Sequence, residues 1–137
     1  RARAAGYNIV PTTTGAADAT GDVLPNLKGK FDGTSLRVPI ITGSIVDITA
    51  LLEKNVTKEE VNKVFEGAAK DPKYMNVIKA TYEPLVSSDI IGDPHSAIVD
   101  LSMTTVIDGN MLKIFAWYDN EWGYSCRLVD MAIMMVS

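Results

Sequence analysis

The sequence predicts an α+β domain, an antiparallel or mixed sheet with helices packed on one face. Three observations predict it. Helix and strand signals follow the order helix, strand pair, helix, strands, helix. Hairpin connections dominate, the clearest being Asp108-Gly109 between two β-rich runs. No Gly-x-Gly-x-x-Gly and no P-loop occurs anywhere in the chain, so a doubly wound nucleotide fold is not what these residues build.

Taken in order, Thr12-Thr13-Thr14-Gly15-Ala16-Ala17 predicts a helix start. A threonine oxygen can accept from the first free N–H groups, and the alanines favour helical turns after it. That helix ends near Leu24-Pro25, because proline disfavours helical geometry in the residue before it. Lys28 to Gly33 is turn-rich. Ser35 to Ile41 and Ile45 to Leu52 read as two strands joined around Thr42-Gly43. Thr57-Lys58-Glu59-Glu60 fits a capping box. Val61, Val64, Phe65 and Ala68 then form the apolar stripe of a helix that stops before Asp71-Pro72. Ala97 to Ile107 and Met111 to Tyr118 are strands, and Ser125 to Val136 a helix. From Met131 onward that helix is apolar on every side, so it needs covering all round or a partner to dock on.

Composition narrows the function classes. Hydrophobic residues make up 47% and charged residues 22% of the 137, as in ordinary globular domains. Without repeats or a linker-like tract, residues 1–137 read as one domain, which buries roughly two thirds of its unfolded surface. A net charge of −4 with no Lys/Arg cluster argues against a nucleic-acid partner. The longest apolar run, Met131 to Val136, falls well short of the roughly 20 residues of a membrane span. A lone cysteine, Cys126, excludes an internal disulfide and fits a reducing, cytoplasmic setting. One histidine and one cysteine assemble neither a metal cluster nor a Ser-His-Asp set.

Several residues carry candidate chemistry. Thr14-Gly15 at a helix start either caps its own helix or binds an anion, since N–H groups and the helix dipole converge there. Arg37, alone within Leu36-Arg37-Val38-Pro39-Ile40, either faces solvent or grips a phosphate or carboxylate through its fork. His95 sits in the turn Asp93-Pro94-His95-Ser96, and Cys126 within the terminal helix reads as a small packing residue. Trp117-Tyr118-Asp119-Asn120-Glu121-Trp122-Gly123-Tyr124 is the densest unusual stretch. Packing explains its aromatics but not the polar residues among them, where a side-chain amide can read a planar ligand's carboxamide.

Three stretches together resemble the catalytic domain of phosphorylating glyceraldehyde-3-phosphate dehydrogenases. They are Arg1-Ala2-Arg3-Ala4-Ala5 with Asn8 to Ala17, then Leu36-Arg37-Val38-Pro39, then Trp117 to Tyr124. The resemblance runs along essentially the whole chain, in matching order and separation. It implies a reaction in which a cysteine thiolate attacks an aldehyde with help from a histidine base. Hydride passes to a nicotinamide, and inorganic phosphate cleaves the resulting thioester to an acyl phosphate. By the same resemblance Arg37 meets the substrate phosphate, Thr14 and Gly15 the inorganic phosphate, and Arg1 lies near these anions. Asn120 hydrogen-bonds the nicotinamide carboxamide, with Tyr124 beside it. The implied cofactor is NAD, with NADP not excluded, and the implied assembly a homotetramer.

Departures from the family pattern define what else is expected. The Ser-Cys-Thr-Thr-Asn nucleophile motif is absent, and the partner histidine belongs upstream of Arg1. Neither Cys126 nor His95 takes those roles, so no catalytic residue is expected in this chain and the chain alone is expected to be inactive. The start at Arg1 without an initiator Met fits a catalytic domain truncated on its N-terminal side, with the nucleotide-binding domain absent. That domain is the expected cover for Met131 to Val136. Ile40-Ile41-Thr42-Gly43 differs from the Thr-Pro-rich version of relatives and is expected to touch no site residue. Two rival readings are a dehydrogenase of another phosphorylated aldehyde, such as erythrose 4-phosphate, and a non-catalytic binding or assembly module of the same fold.

Overall fold

Extended chain begins where Pro11, which has no N–H to give a helix, stands beside β-branched threonines. Strand β1 spans Val10–Thr13 in the computed structural model, which describes residues 3–136. Helix α1 comes next, over Ala16–Val23. Its cap is Leu24 at the C-terminal end, and Pro25 opens a short 3₁₀ turn, Pro25–Leu27. Strand β2, Thr34–Arg37, returns antiparallel to β1, pairing Val10 with Arg37 and Thr13 with Thr34. These elements form a compact unit that ends at Ile41.

The expected strand Ser35 to Ile41 is therefore shorter and differently paired. It stops two residues ahead of Pro39, which cannot donate to a ladder. It also pairs with β1, not with the next strand along the chain. Of the threonines predicted to open a helix, Thr12 and Thr13 belong to β1; α1 starts after Gly15, with Thr14 Oγ1 accepting from the Ala16 N–H.

From Thr42 the chain forms a second unit. Its elements are β3 (Ser44–Leu51), α2 (Lys58–Ala68), β4 (Ile78–Thr81), β5 (Ala97–Asp100), β6 (Thr105–Ile107), β7 (Met111–Tyr118) and α3 (Trp122–Val136). The sheet runs β3-β7-β5-β4, with β6 also on β7. Only β4 and β5 are parallel, so the sheet is mixed, as the α+β expectation has it. Strand β4, not expected from the sequence, pairs in parallel with β5. Asp108 and Gly109 both have positive φ, at 50° and 78°, the backbone that an Asp-Gly hairpin requires. The single strand expected over Ala97 to Ile107 breaks into β5 and β6 at a turn after Asp100.

Helix α2 starts at the expected capping box. Thr57 Oγ1 accepts from the Glu60 N–H at 3.2 Å, and Glu60 Oε2 accepts from the Thr57 N–H at 2.7 Å. Its buried stripe is rotated from expectation: Val64 is 68% exposed while Asn62 is 4% exposed. The reason is polar. Asn62 Nδ2 donates to the Leu101 carbonyl at 3.0 Å, satisfying a backbone group that burial would otherwise leave without water. The core beneath is Val99, Leu101 and Ala116, with Val46, Phe65, Ile78, Ala80 and Ala97 against it.

Helix α3 approaches the loop ahead of β5 through Gly123, where a Cβ would stand 3.1 Å from the His95 carbonyl oxygen, tighter than ordinary contact. Beyond that point its apolar side chains, Met131 and Ile133 to Val136, are exposed, as the all-round apolar pattern predicts.

Candidate functional site

In the first unit the candidate anion residues lie on one short ribbon. Thr14 and Gly15 come just after the last residue of β1, and Arg37 is paired with its first. Three strand steps separate those ends, about 10 Å. Thr14 Oγ1 accepts from the Ala16 N–H at 3.2 Å and Gly15 is the α1 cap, so this helix start keeps further N–H groups for a ligand. Asp18 in the first turn adds a carboxylate nearby. Arg37 is exposed and forms no ion pair among the described residues. Arg1 lies outside the described residues.

In the second unit the candidate site is the junction of β7 and α3. Asp119 is 5% exposed and accepts three backbone N–H bonds, from Gly92 at 2.8 Å, Trp122 at 2.9 Å and Glu121 at 3.0 Å. The Gly92 N–H foremost, then those of Trp122 and Glu121, hold its carboxyl below the usual carboxylate range against the opposing effect of burial. Its own carbonyl accepts from Gly123 at 3.0 Å, so Asp119 caps the turn that leads into α3. Asn120, the next residue, is exposed. Its Oδ1 accepts from the Gly43 N–H at 3.2 Å and from Ser44 Oγ at 3.3 Å. Tyr124, in the first turn of α3, is 65% exposed.

Sequence reasoning missed two of these roles. Asp119 carries the signal of an N-cap, an aspartate just ahead of a helix, but the surrounding aromatics draw the eye first. Gly43 and Ser44 could not be found locally, since they meet Asn120 only through the β3–β7 pairing of Ser44 with Tyr118. The expectation that Ile40 to Gly43 touches no site residue is thus corrected: the Gly43 N–H donates to Asn120.

His95 and Cys126 line one shallow groove with Trp122 and Arg127. His95 is anchored in its turn. Asp93 Oδ1 accepts from the His95 N–H at 3.0 Å and lies 2.6 Å from the ring Nδ1, while Lys79 donates to Asp93 Oδ2 at 3.2 Å. Burial pushes the Asp93 carboxyl up, but the bonds from His95 and Lys79 outweigh it and leave it lowered. A carboxyl lowered in the fold stabilises above the ordinary carboxylate range and loses that stabilisation as pH falls through its folded value. We therefore expect the stability gap between the protein and Asp93→Asn to narrow as pH falls through and below the ordinary carboxylate range, read by urea melts. A gap that stays constant would show that charge does not hold this turn. Among the described residues no group of His, Cys, Asp and Glu can hold a metal ion. No described helix is long and apolar enough to cross a membrane.

The family model described as "Glyceraldehyde 3-phosphate dehydrogenase, C-terminal domain" matches residues 1–120. The chain belongs to this family. Among relatives, glyceraldehyde-3-phosphate dehydrogenase 2 of Streptomyces avermitilis is 54% identical over 135 residues, 98% of this chain and 40% of its own length. The glyceraldehyde-3-phosphate dehydrogenase of Mycobacterium avium is 56% identical over 98% of this chain and 39% of its own. That of Borreliella burgdorferi is 55% identical over 99% and 41%. The chain thus spans about two fifths of the length of these glyceraldehyde-3-phosphate dehydrogenases.

Proposed function

We propose that this chain is the catalytic-domain portion of an NAD-dependent enzyme that oxidises and phosphorylates glyceraldehyde 3-phosphate to 1,3-bisphosphoglycerate in glycolysis. The observation that carries the reading is the β1–β2 ribbon: its two ends lie about 10 Å apart, with the α1 start following one and the exposed Arg37 at the other. Arg37 would hold the substrate's phosphate by bidentate, charge-assisted bonds. Thr14 and Gly15 would hold the inorganic phosphate, and Arg1 would add positive charge near both. The relatives' names support the same aldehyde.

The nicotinamide contact fits the residues present. Asn120 has its Oδ1 occupied by two donors, so its Nδ2 is left to donate to a carboxamide oxygen, with the exposed Tyr124 beside it. NAD, when bound, supplies the hydride acceptor; NADP use would be decided elsewhere than at this amide. The nucleophilic cysteine, the histidine base and the main nucleotide-binding fold would be supplied by the rest of the enzyme. Its nucleotide-binding domain is the proposed cover for the exposed apolar end of α3. A cytoplasmic homotetramer is the proposed assembly.

The test uses the full-length enzyme carrying this segment. With glyceraldehyde 3-phosphate and NAD, NADH should form in proportion to added inorganic phosphate, while the 137-residue chain alone should form none. Turnover indifferent to phosphate would remove the second anion site, and better turnover of erythrose 4-phosphate would replace the substrate.

A further inference from the structure

We infer that Ser44 and Asp119 are positioning residues, which together hold the Asn120 amide with its N–H groups presented to a ligand's carbonyl oxygen. The inference rests on Asn120 being the nicotinamide contact and adds what makes that contact selective. A side-chain amide is a planar group with an acceptor on one branch and a donor on the other. If it rotates by half a turn, it offers a ligand the wrong partner. Here rotation is opposed. The Gly43 N–H can only donate, so a flipped amide would set donor against donor; Ser44 Oγ, from the first position of β3, adds a second bond that anchors the amide once Gly43 has set its orientation.

The backbone beneath the amide is fixed as well. Asp119 takes N–H bonds from two residues of its own turn and from Gly92 in a separate loop, so the junction cannot slide along the sheet edge without breaking a buried, charge-assisted set. Gly43 completes the arrangement. Its φ is +91°, and a Cβ there would stand 3.0 Å from the Ser87 carbonyl oxygen and 3.1 Å from Ile90 Cδ1. Only glycine brings its N–H to Asn120 without displacing that loop.

The alternative role for Asp119 is to cap α3 and nothing more. Asp119→Asn separates the two roles. An asparagine still caps a helix well through its oxygen, but its amide nitrogen would face the Gly92 N–H. Ser44→Ala removes one of the two donors to Asn120, and Ser44→Thr restores it.

The measurement is calorimetric binding of NAD and of ADP-ribose, which lacks the nicotinamide, to the full-length enzyme and these variants. Loss of one hydrogen bond corresponds to roughly a threefold to tenfold change in affinity. Asn120→Ala should raise the NAD Kd by about tenfold and leave the ADP-ribose Kd unchanged. Ser44→Ala should raise the NAD Kd by about threefold, with recovery in Ser44→Thr, and Asp119→Asn by about tenfold. An effect of Asn120→Ala without any from Ser44→Ala and Asp119→Asn would overturn the positioning role and leave the functional reading standing. Parallel weakening of both ligands would overturn it too, by making the role structural. No effect of Asn120→Ala would end both. If Asp119→Asn fails to fold, the Ser44 pair decides alone.

Discussion

Replacing Arg37 by alanine should lower kcat/KM for the phosphorylated aldehyde by about 100-fold, a loss of roughly 3 kcal/mol of transition-state binding. The size reflects what the side chain is. A guanidinium forms two parallel charge-assisted bonds to a phosphate, each stronger than a neutral bond. Arg37 stands exposed at the end of β2 with no carboxylate paired to it among the described residues, so none of its fork is committed elsewhere. Arg37→Lys keeps the charge and loses the fork, and should fall between the two. Unphosphorylated glyceraldehyde is the control, because it has no group for Arg37 to hold. An equal loss on both aldehydes would mean that the residue supports the ribbon and not the substrate.

The second large effect belongs to the core. Leu101→Ala should destabilise the protein by about 2–5 kcal/mol, measured by chemical denaturation. Leu101 is 1% exposed and packs with Val99 and Ala116 where β5 turns away from the sheet. Its carbonyl also receives Asn62 Nδ2, so a collapse of the site around the missing side chain would strain that bond. A loss below about 1 kcal/mol would show that the surrounding side chains refill the space freely.

Much of the fold was legible because its signals are local. Thr57 and Glu60 announce a helix start three residues apart, and the structure shows both halves of the box. Asp108-Gly109 supplies positive φ at both positions, although the closing pair is Ile107 and Met111, so Asn110 joins the turn. What escaped depends on partners far along the chain. Ile78–Thr81 is too short a run to stand as a strand until β5 lies beside it. Nothing near Arg37 says that its strand returns to Val10 and not to the strand ahead. Periodicity chose Val64 over Asn62 for the core because it counts apolar residues, whereas the structure needed a donor for a buried carbonyl. The candidate site divides in the same way. Thr14, Gly15, Arg37 and Asn120 were visible as residue types in unusual settings, while Gly43, Ser44 and Asp119 became visible only as their supports.

The bond from Gly43 to Asn120 joins residues 77 apart in the chain. Closing a loop of that length costs entropy before any contact is gained, whereas the β6–β7 hairpin closes over a few residues. The expected order is therefore the hairpin first and the docking of β3 later. The amide proposed to meet the nicotinamide has its Gly43 and Ser44 donors only once β3 is docked, so a chain lacking that pairing would carry the asparagine without its orientation.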